Sequence, residues 1–161
     1  MVLIDAIILF IHIFFAVIFV GGSFFIWLVV WPASYEITND EKERTRIVGR
    51  IAKRFAIFTH ISVFILVITG IYNATWYLGT FSALFDTTGG RILLVKVVIV
   101  AVDIALIYAN NLYHGRKIMR LAREGKLDEV RKIRKVTHLF SFVSLALLVL
   151  IVALATMLQF Y

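Results

Sequence analysis

The chain has 161 residues, 61% of them hydrophobic and only 17% charged, with a mean hydropathy of +0.94 and a formal charge of +7. Soluble domains carry about 45–50% apolar and about 25% charged residues, so this balance excludes a soluble nucleic-acid binder or a disordered chain, despite the basic pI near 9.9. With no cysteine there is no disulfide framework, thiolate chemistry, Fe–S cluster or Cys-ligated zinc.

Four apolar runs follow in chain order, each with the roughly 20 residues needed to cross the hydrocarbon core as a helix. The first, residues 3–31, stops at the lone proline, Pro32, and carries Trp27 and Trp31 as interface anchors. It lacks a basic leader and a small-residue cleavage site and is far too long for a signal peptide, so it reads as a retained span. The second, residues 55–77, ends in Trp76 and Tyr77; the third, 91–113, opens after Gly89-Gly90; the fourth is 136–158. The expected fold is an all-α integral membrane protein, a single domain over residues 1–161 built as an antiparallel four-helix transmembrane bundle.

Charge placement sets the expected orientation. Lys42, Arg44, Arg46, Arg50, Lys53 and Arg54 lie between the first two spans. Arg116, Lys117, Arg120, Arg123, Lys126, Arg131, Lys132, Arg134 and Lys135 lie between the last two, leaving only Arg91 and Lys96 of the 17 basic residues elsewhere. The positive-inside rule then puts both basic loops in the cytoplasm and both termini outside a cell membrane. Topology and anionic lipid account for the basic excess without nucleic acid. Thr38, Asn39 and Asp40 are placed to cap a helix entering residues 41–54, acids first and bases last, as the helix dipole prefers. Gly125 separates two basic amphipathic stretches, 117–123 and 127–135, so helices are expected to project past the membrane and turn there.

The informative residues are the polar ones in the spans, because a charged group at mid-membrane costs about 2.5–3.5 kcal/mol and so faces a protein interior. Lys96, Asp103, Asn110 and His114 in the third span are spaced so that, at about 100° per residue, all fall within roughly 40° of one another. This stripe must look into the bundle, either as structural pairing or as part of a cofactor cavity or proton path. His12, His60 and His138 lie in the first, second and fourth spans. In an up-down-up-down bundle spans one and three are diagonal, as are two and four, with diagonal axes roughly 11–14 Å apart. That distance suits an imidazole–iron–imidazole bridge. His60 and His138, within about 6 Å in depth, are the expected axial pair of an inner haem b. His12 and Lys96 form the outer pair, His12 as ligand of a second haem and Lys96 as propionate partner or sixth ligand. His114 is a further candidate, contacting a propionate or replacing His138. Ala16 and Ser23 follow His12 on nearly one face, and Gly21-Gly22 lets a helix or flat ring approach; Gly70 is placed to do the same.

The stretch from Ile11-His12 to Gly21-Gly22, with Phe19 where tryptophan is common, resembles the first-span signature of CopD-like copper-resistance membrane proteins. Thr69-Gly70, the segment from Thr87-Thr88-Gly89-Gly90-Arg91 to Leu94-Val95-Lys96, and Asn110-Asn111 resemble that family's later motifs. The resemblance covers most of spans one to three, and span four contributes little. The related HemJ-type protoporphyrinogen oxidases share a first-span histidine and a lysine-bearing later span, and that group is implicated in haem binding. By this resemblance His12 and Lys96 carry over, while the HemJ-type tyrosine and arginine cluster after the first span is absent. For copper, no cysteine is present and Met1, Met119 and Met157 do not cluster, whereas Cu(I) prefers soft sulfur ligands.

Three functions follow. The first is a b-type cytochrome holding one or two haems through His12, His60 and His138 and moving electrons within or across the membrane. Its partners would be a quinone, a small oxidant or a redox protein, and the same chemistry leaves a membrane oxidoreductase open. The alternative is a copper-resistance-type transporter or permease conducting through His12, Lys96 and Asp103. The third is a scaffold whose buried polar groups only specify helix register. Lipid is the expected surround in each, and an oligomer is compatible with all three.

Overall fold

In a computed structural model, which describes residues 2–76 and 78–160 and all of their side chains except those of Val2 and Asn111, the described residues form helices and connecting turns with no strand. Four rods are long and apolar enough to cross a membrane: Leu3–Ile37, Glu41–Ala74, Thr88–Arg123 and Leu127–Phe160. At about 1.5 Å per residue each is longer than 50 Å, against a hydrocarbon core of about 30 Å. Each apolar run is therefore prolonged, chiefly at its basic end, where water can receive the charged turns. Tyr77, where the second run was expected to end, lies outside the described residues.

The first rod consists of α1 (Val2–Phe25), a wide π-helical turn (Ile26–Val30) and α2 (Trp31–Ile37). Pro32 does not stop this helix as expected. It sits in the first turn of α2, just past the π turn, and the widened winding accommodates a residue that has no N–H and crowds the carbonyl of the preceding turn. The chain then breaks at Thr38, and α3 (Glu41–Ala74) starts on the expected cap: the Asp40 carboxylate accepts from the Lys42 N–H at 2.8 Å.

A short α4 (Ala83–Asp86) folds back onto the start of α5 (Thr88–Ala109), whose cap is Thr87, its hydroxyl accepting from the Gly90 N–H at 2.9 Å. A Cβ on Gly90 would run into the Ala83 carbonyl, so this glycine is required by a backbone-to-backbone approach. Gly90→Val is expected to cost about 1–3 kcal/mol by overpacking, read as a lower midpoint in thermal unfolding of the detergent-solubilised protein. A second π turn (Asn110–Gly115) links α5 to α6 (Arg116–Arg123). Gly125, at φ +76°, makes the expected turn into α7 (Leu127–Met157), which ends in a 3₁₀ turn (Leu158–Phe160).

α1 packs chiefly on α3, and α5 on α7. Phe19, Val63, Leu145 and Leu148 form the central cluster, with Ile104, Ile107 and Tyr108 of α5 packed against it, so all four rods reach one core. Ile118, Leu121, Ala122 and Val130 make a second, smaller core inside the α6–α7 hairpin. Phe10, Phe14, Phe64 and Phe142 stay exposed, as a lipid-facing surface requires. Gly22 takes the ring of Phe55 against its bare backbone, the close approach expected of Gly21-Gly22, while Gly21 faces open space.

Candidate functional site: a polar column and an adjoining cavity

The polar stripe of α5 looks inward. Asp103 is 2% exposed, and its carboxylate accepts from the Ser144 hydroxyl at 2.6 Å. About two turns on, Asn110 donates through Nδ2 to Ser141 at 3.1 Å, and its Oδ1 faces His114 Nδ1 at 3.3 Å. The partners, Ser141 and Ser144, lie three residues apart on one face of α7. Since the Asn110 amide nitrogen is on Ser141, its oxygen accepts and His114 Nδ1 is the donor, which in the neutral ring leaves the lone pair on Nε2.

At the far end of the column the same device recurs. His12 Nδ1 lies 2.7 Å from the Thr69 hydroxyl, which itself donates to the Ile65 carbonyl at 2.7 Å. The hydroxyl proton being committed, Nδ1–H of His12 must donate, and its Nε2 is again left with a lone pair. The His12 ring also packs over Gly70, where a Cβ would meet Cε1 at 3.4 Å, so the expected close approach at Gly70 accommodates an imidazole. Lys96, the other candidate of the outer pair, is half-buried on α5.

His60 and His138 are placed differently. His60 is exposed, its ring stacked on Tyr108 at 5.2 Å between centroids and its Nδ1 3.2 Å from the Tyr108 hydroxyl, on the seam between α3 and α5. His138 lies on the seam between the first rod and α7, edge-on to Trp27 at 4.8 Å and to Trp31 at 4.5 Å. The two rings lie on different seams and share no partner among the described residues. Counting along the helices gives depth but not azimuth: the buried face of α3 is carried by Thr59, Ser62, Val63 and Thr69, and His60 is turned about 100° from Thr59. Among the described residues no group of three His, Asp or Glu side chains comes together as a metal-binding set.

Beside the column lies a cavity of about 260 Å³, walled by Phe19, Trp27, Phe55, Leu106, Thr137 and His138 among others. Both π turns border it, contributing Ile26 and Trp27 from one side and Asn110 and Gly115 from the other. Such wide turns disturb regular helix packing and frequently mark functional sites. At its basic end, Glu41 bridges two arginines. One carboxylate oxygen accepts from Arg44 at 2.9 Å and the other from Arg134, which also donates to Thr45 at 2.5 Å. Arg44 lies over the Tyr35 ring at 3.9 Å and Arg134 over Trp31 at 5.2 Å.

Residues 49–158, more than half of the chain, match the family model described as Copper resistance protein D. The chain belongs to that family. The match spans the second to fourth rods, whereas the sequence resemblance was expected mainly in the first three; His12 falls outside it, and the fourth rod, expected to contribute little, falls within it. No curated protein and no solved structure matches the chain. The residues missed in the sequence are the second partners Ser141 and Ser144 and the Glu41 bridge to Arg44 and Arg134, while Thr69 was singled out only with Gly70 and not as a partner of His12. Two signals were available, the i, i+3 serines in an otherwise apolar run and the proline that displaces a helix turn.

Proposed function

We propose that this member of the copper-resistance D family is a multi-pass cell-membrane protein that conducts copper along the column His12–Lys96–Asp103–Asn110–His114. The observation that carries this reading is Asp103, a carboxylate 2% exposed in the middle of the third rod, with an anchored imidazole towards each end of the column. Buried ionisable groups facing a bundle interior mark ion or proton pathways. Imidazole and carboxylate are donors suited to Cu(II) rather than to soft Cu(I). His12 and His114 each offer an Nε2 lone pair held in position by the hydrogen bond at Nδ1, the usual way a second partner orients a metal-binding histidine. Asp103 attracts a cation and Lys96 opposes its lodging, and conduction needs binding strong enough to enter and weak enough to leave.

The bundle is antiparallel in this reading, supported by the contacts of Asp5 with Tyr72 and His12 with Thr69 on one pair of rods, and of Asp103 with Ser144 and His114 with Phe140 on the other. The Arg134–Glu41 bridge and the approach of Gly49 to Met119 put both basic segments at one end, which the positive-inside rule places in the cytoplasm with both termini outside.

The test is copper entry into proteoliposomes containing a trapped chelating dye, together with a pyridine haemochrome assay of the same protein. Uptake faster than in protein-free vesicles, without stoichiometric haem, is expected; vesicles no faster than empty ones, or one haem per chain, would overturn the copper reading in favour of a scaffold or a cytochrome. Thr69→Val, which keeps the shape and removes the acceptor for His12, is expected to weaken copper affinity by about 10–100-fold, measured by competition with a chelator.

A further inference from the structure

The basic end of the third rod carries a charged groove that the polar column does not use. It holds about 330 Å³ and is walled by Leu112, Tyr113, Arg116, Lys117 and Arg120. The placement follows from the amphipathic pattern of α6. Ile118, Leu121 and Ala122 are buried with Val130 of α7, and at about 100° per residue Arg116, Lys117 and Arg120 fall on the opposite face. Among the described residues no carboxylate lines the groove, and neither Arg116 nor Lys117 makes an ion pair. Lys117 lies instead over the Tyr113 ring at 5.6 Å. Arg120 reaches Glu124 at 3.7 Å, but that carboxylate also takes Lys126 at 3.1 Å, and so exposed a pair holds an arginine weakly. Three cations with a share of one counter-charge make a site for an anion.

Depth selects the anion. Asp103 lies near the middle of the apolar run 91–113. At about 1.5 Å per residue, Tyr113 then stands about 15 Å from the bilayer centre, at the edge of the hydrocarbon, and Arg116 and Lys117 about 20 Å, among the headgroups. Leu112 and Tyr113, 47% and 63% exposed, face the acyl chains, and the cations begin one turn further out. Side chains on a helix tilt towards its N-terminus, which for this rod is at the other face of the membrane. Arg116, Lys117 and Arg120 therefore lean back towards the headgroups. On α3 the same tilt carries Arg50, Lys53 and Arg54 away from the bilayer, because there the basic turns come first. Apolar surface followed along one face by three cations matches a ligand with both chains and a phosphate. An ammonium group on that ligand would be repelled, so its headgroup must carry a net negative charge.

We propose that this groove binds an anionic phospholipid, its phosphate held by Arg116, Lys117 and Arg120 and its chains lying along Leu112 and Tyr113. The site requires neither copper nor the column that conducts it.

The experiment titrates dioleoylphosphatidylglycerol into the full chain in a neutral detergent, without copper, and counts bound lipid by native mass spectrometry. A first lipid that saturates is expected, at a lower concentration than dioleoylphosphatidylcholine needs. Arg116→Gln and Lys117→Gln should each raise the half-saturating concentration about five-fold, the worth of one basic residue at an anionic headgroup. The triple variant Arg50→Gln, Lys53→Gln and Arg54→Gln removes more charge at the same end and should behave as wild type. Equal binding of the two lipids, or unchanged midpoints in both single variants, overturns the proposal. So does a loss in the triple variant as large as theirs, which would mean diffuse attraction by net charge. Displacement of the lipid by an equal concentration of glycerol 3-phosphate overturns it too, and would make the groove a site for soluble phosphates.

Discussion

Glu41→Ala is expected to destabilise the protein by about 3–5 kcal/mol, the usual consequence of removing one partner from a buried ionic cluster. The Glu41 side chain is 14% exposed, and its two oxygens hold Arg44 and Arg134, themselves 8% and 11% exposed. Without it two guanidinium groups face each other in a nearly dry site. Their remaining partners, the Thr38 carbonyl, the Thr45 hydroxyl and the faces of Tyr35 and Trp31, carry no formal charge. The bridge also ties the start of α3 to α7 across 93 residues of sequence, so its loss opens the basic end rather than one helix turn. Thermal or denaturant unfolding in detergent would show this, and the triple variant Glu41→Leu, Arg44→Met and Arg134→Met should recover much of the loss by replacing the whole cluster with apolar packing. A single variant melting with the wild type would mean that solvent, not Glu41, screens the arginines.

Asp103→Asn is expected to reduce copper uptake at least ten-fold while leaving the fold intact. The change removes the negative charge at the middle of the column but keeps the side-chain shape and an oxygen that accepts from Ser144 at the 2.6 Å position now occupied by Oδ1. Stability should therefore stay within about 1 kcal/mol, the scale of a single altered hydrogen bond, while the attraction for a cation is lost. Uptake and melting measured on the same preparation separate the two effects. Uptake at the wild-type rate would remove Asp103 from the path; an uptake loss matched by a collapse in stability would reduce it to a structural role.

The inward stripe was legible because Lys96, Asp103, Asn110 and His114 repeat near multiples of the helical period, and lipid leaves such groups no other direction to face. The cap at Asp40 and the turn at Gly125 were legible for a similar reason, since both depend on residues adjacent in the chain. His60 shows the limit. Its depth could be counted, but its azimuth depends on which face of α3 the other rods cover, and Thr59, Ser62 and Thr69 occupy that face. His138 shows the same limit from the other side, since its ring contacts come from Trp27 and Trp31 on the first rod, within and just past the π turn before Pro32.

Hydropathy and local spacing were thus enough to determine four membrane-spanning helices, a basic end and one polar face, because each is an interaction of a segment with lipid, water or its own neighbouring turns. Which polar groups meet was decided only by tertiary packing: Asp103 with Ser144, His12 with Thr69, and Glu41 with Arg134 join residues between 41 and 93 positions apart. Lipid tails are as apolar as the helices they surround, so no hydrophobic force selects one rotation of a rod over another. That choice falls to close fit and hydrogen bonding between helices, which have no signature within a single run of sequence.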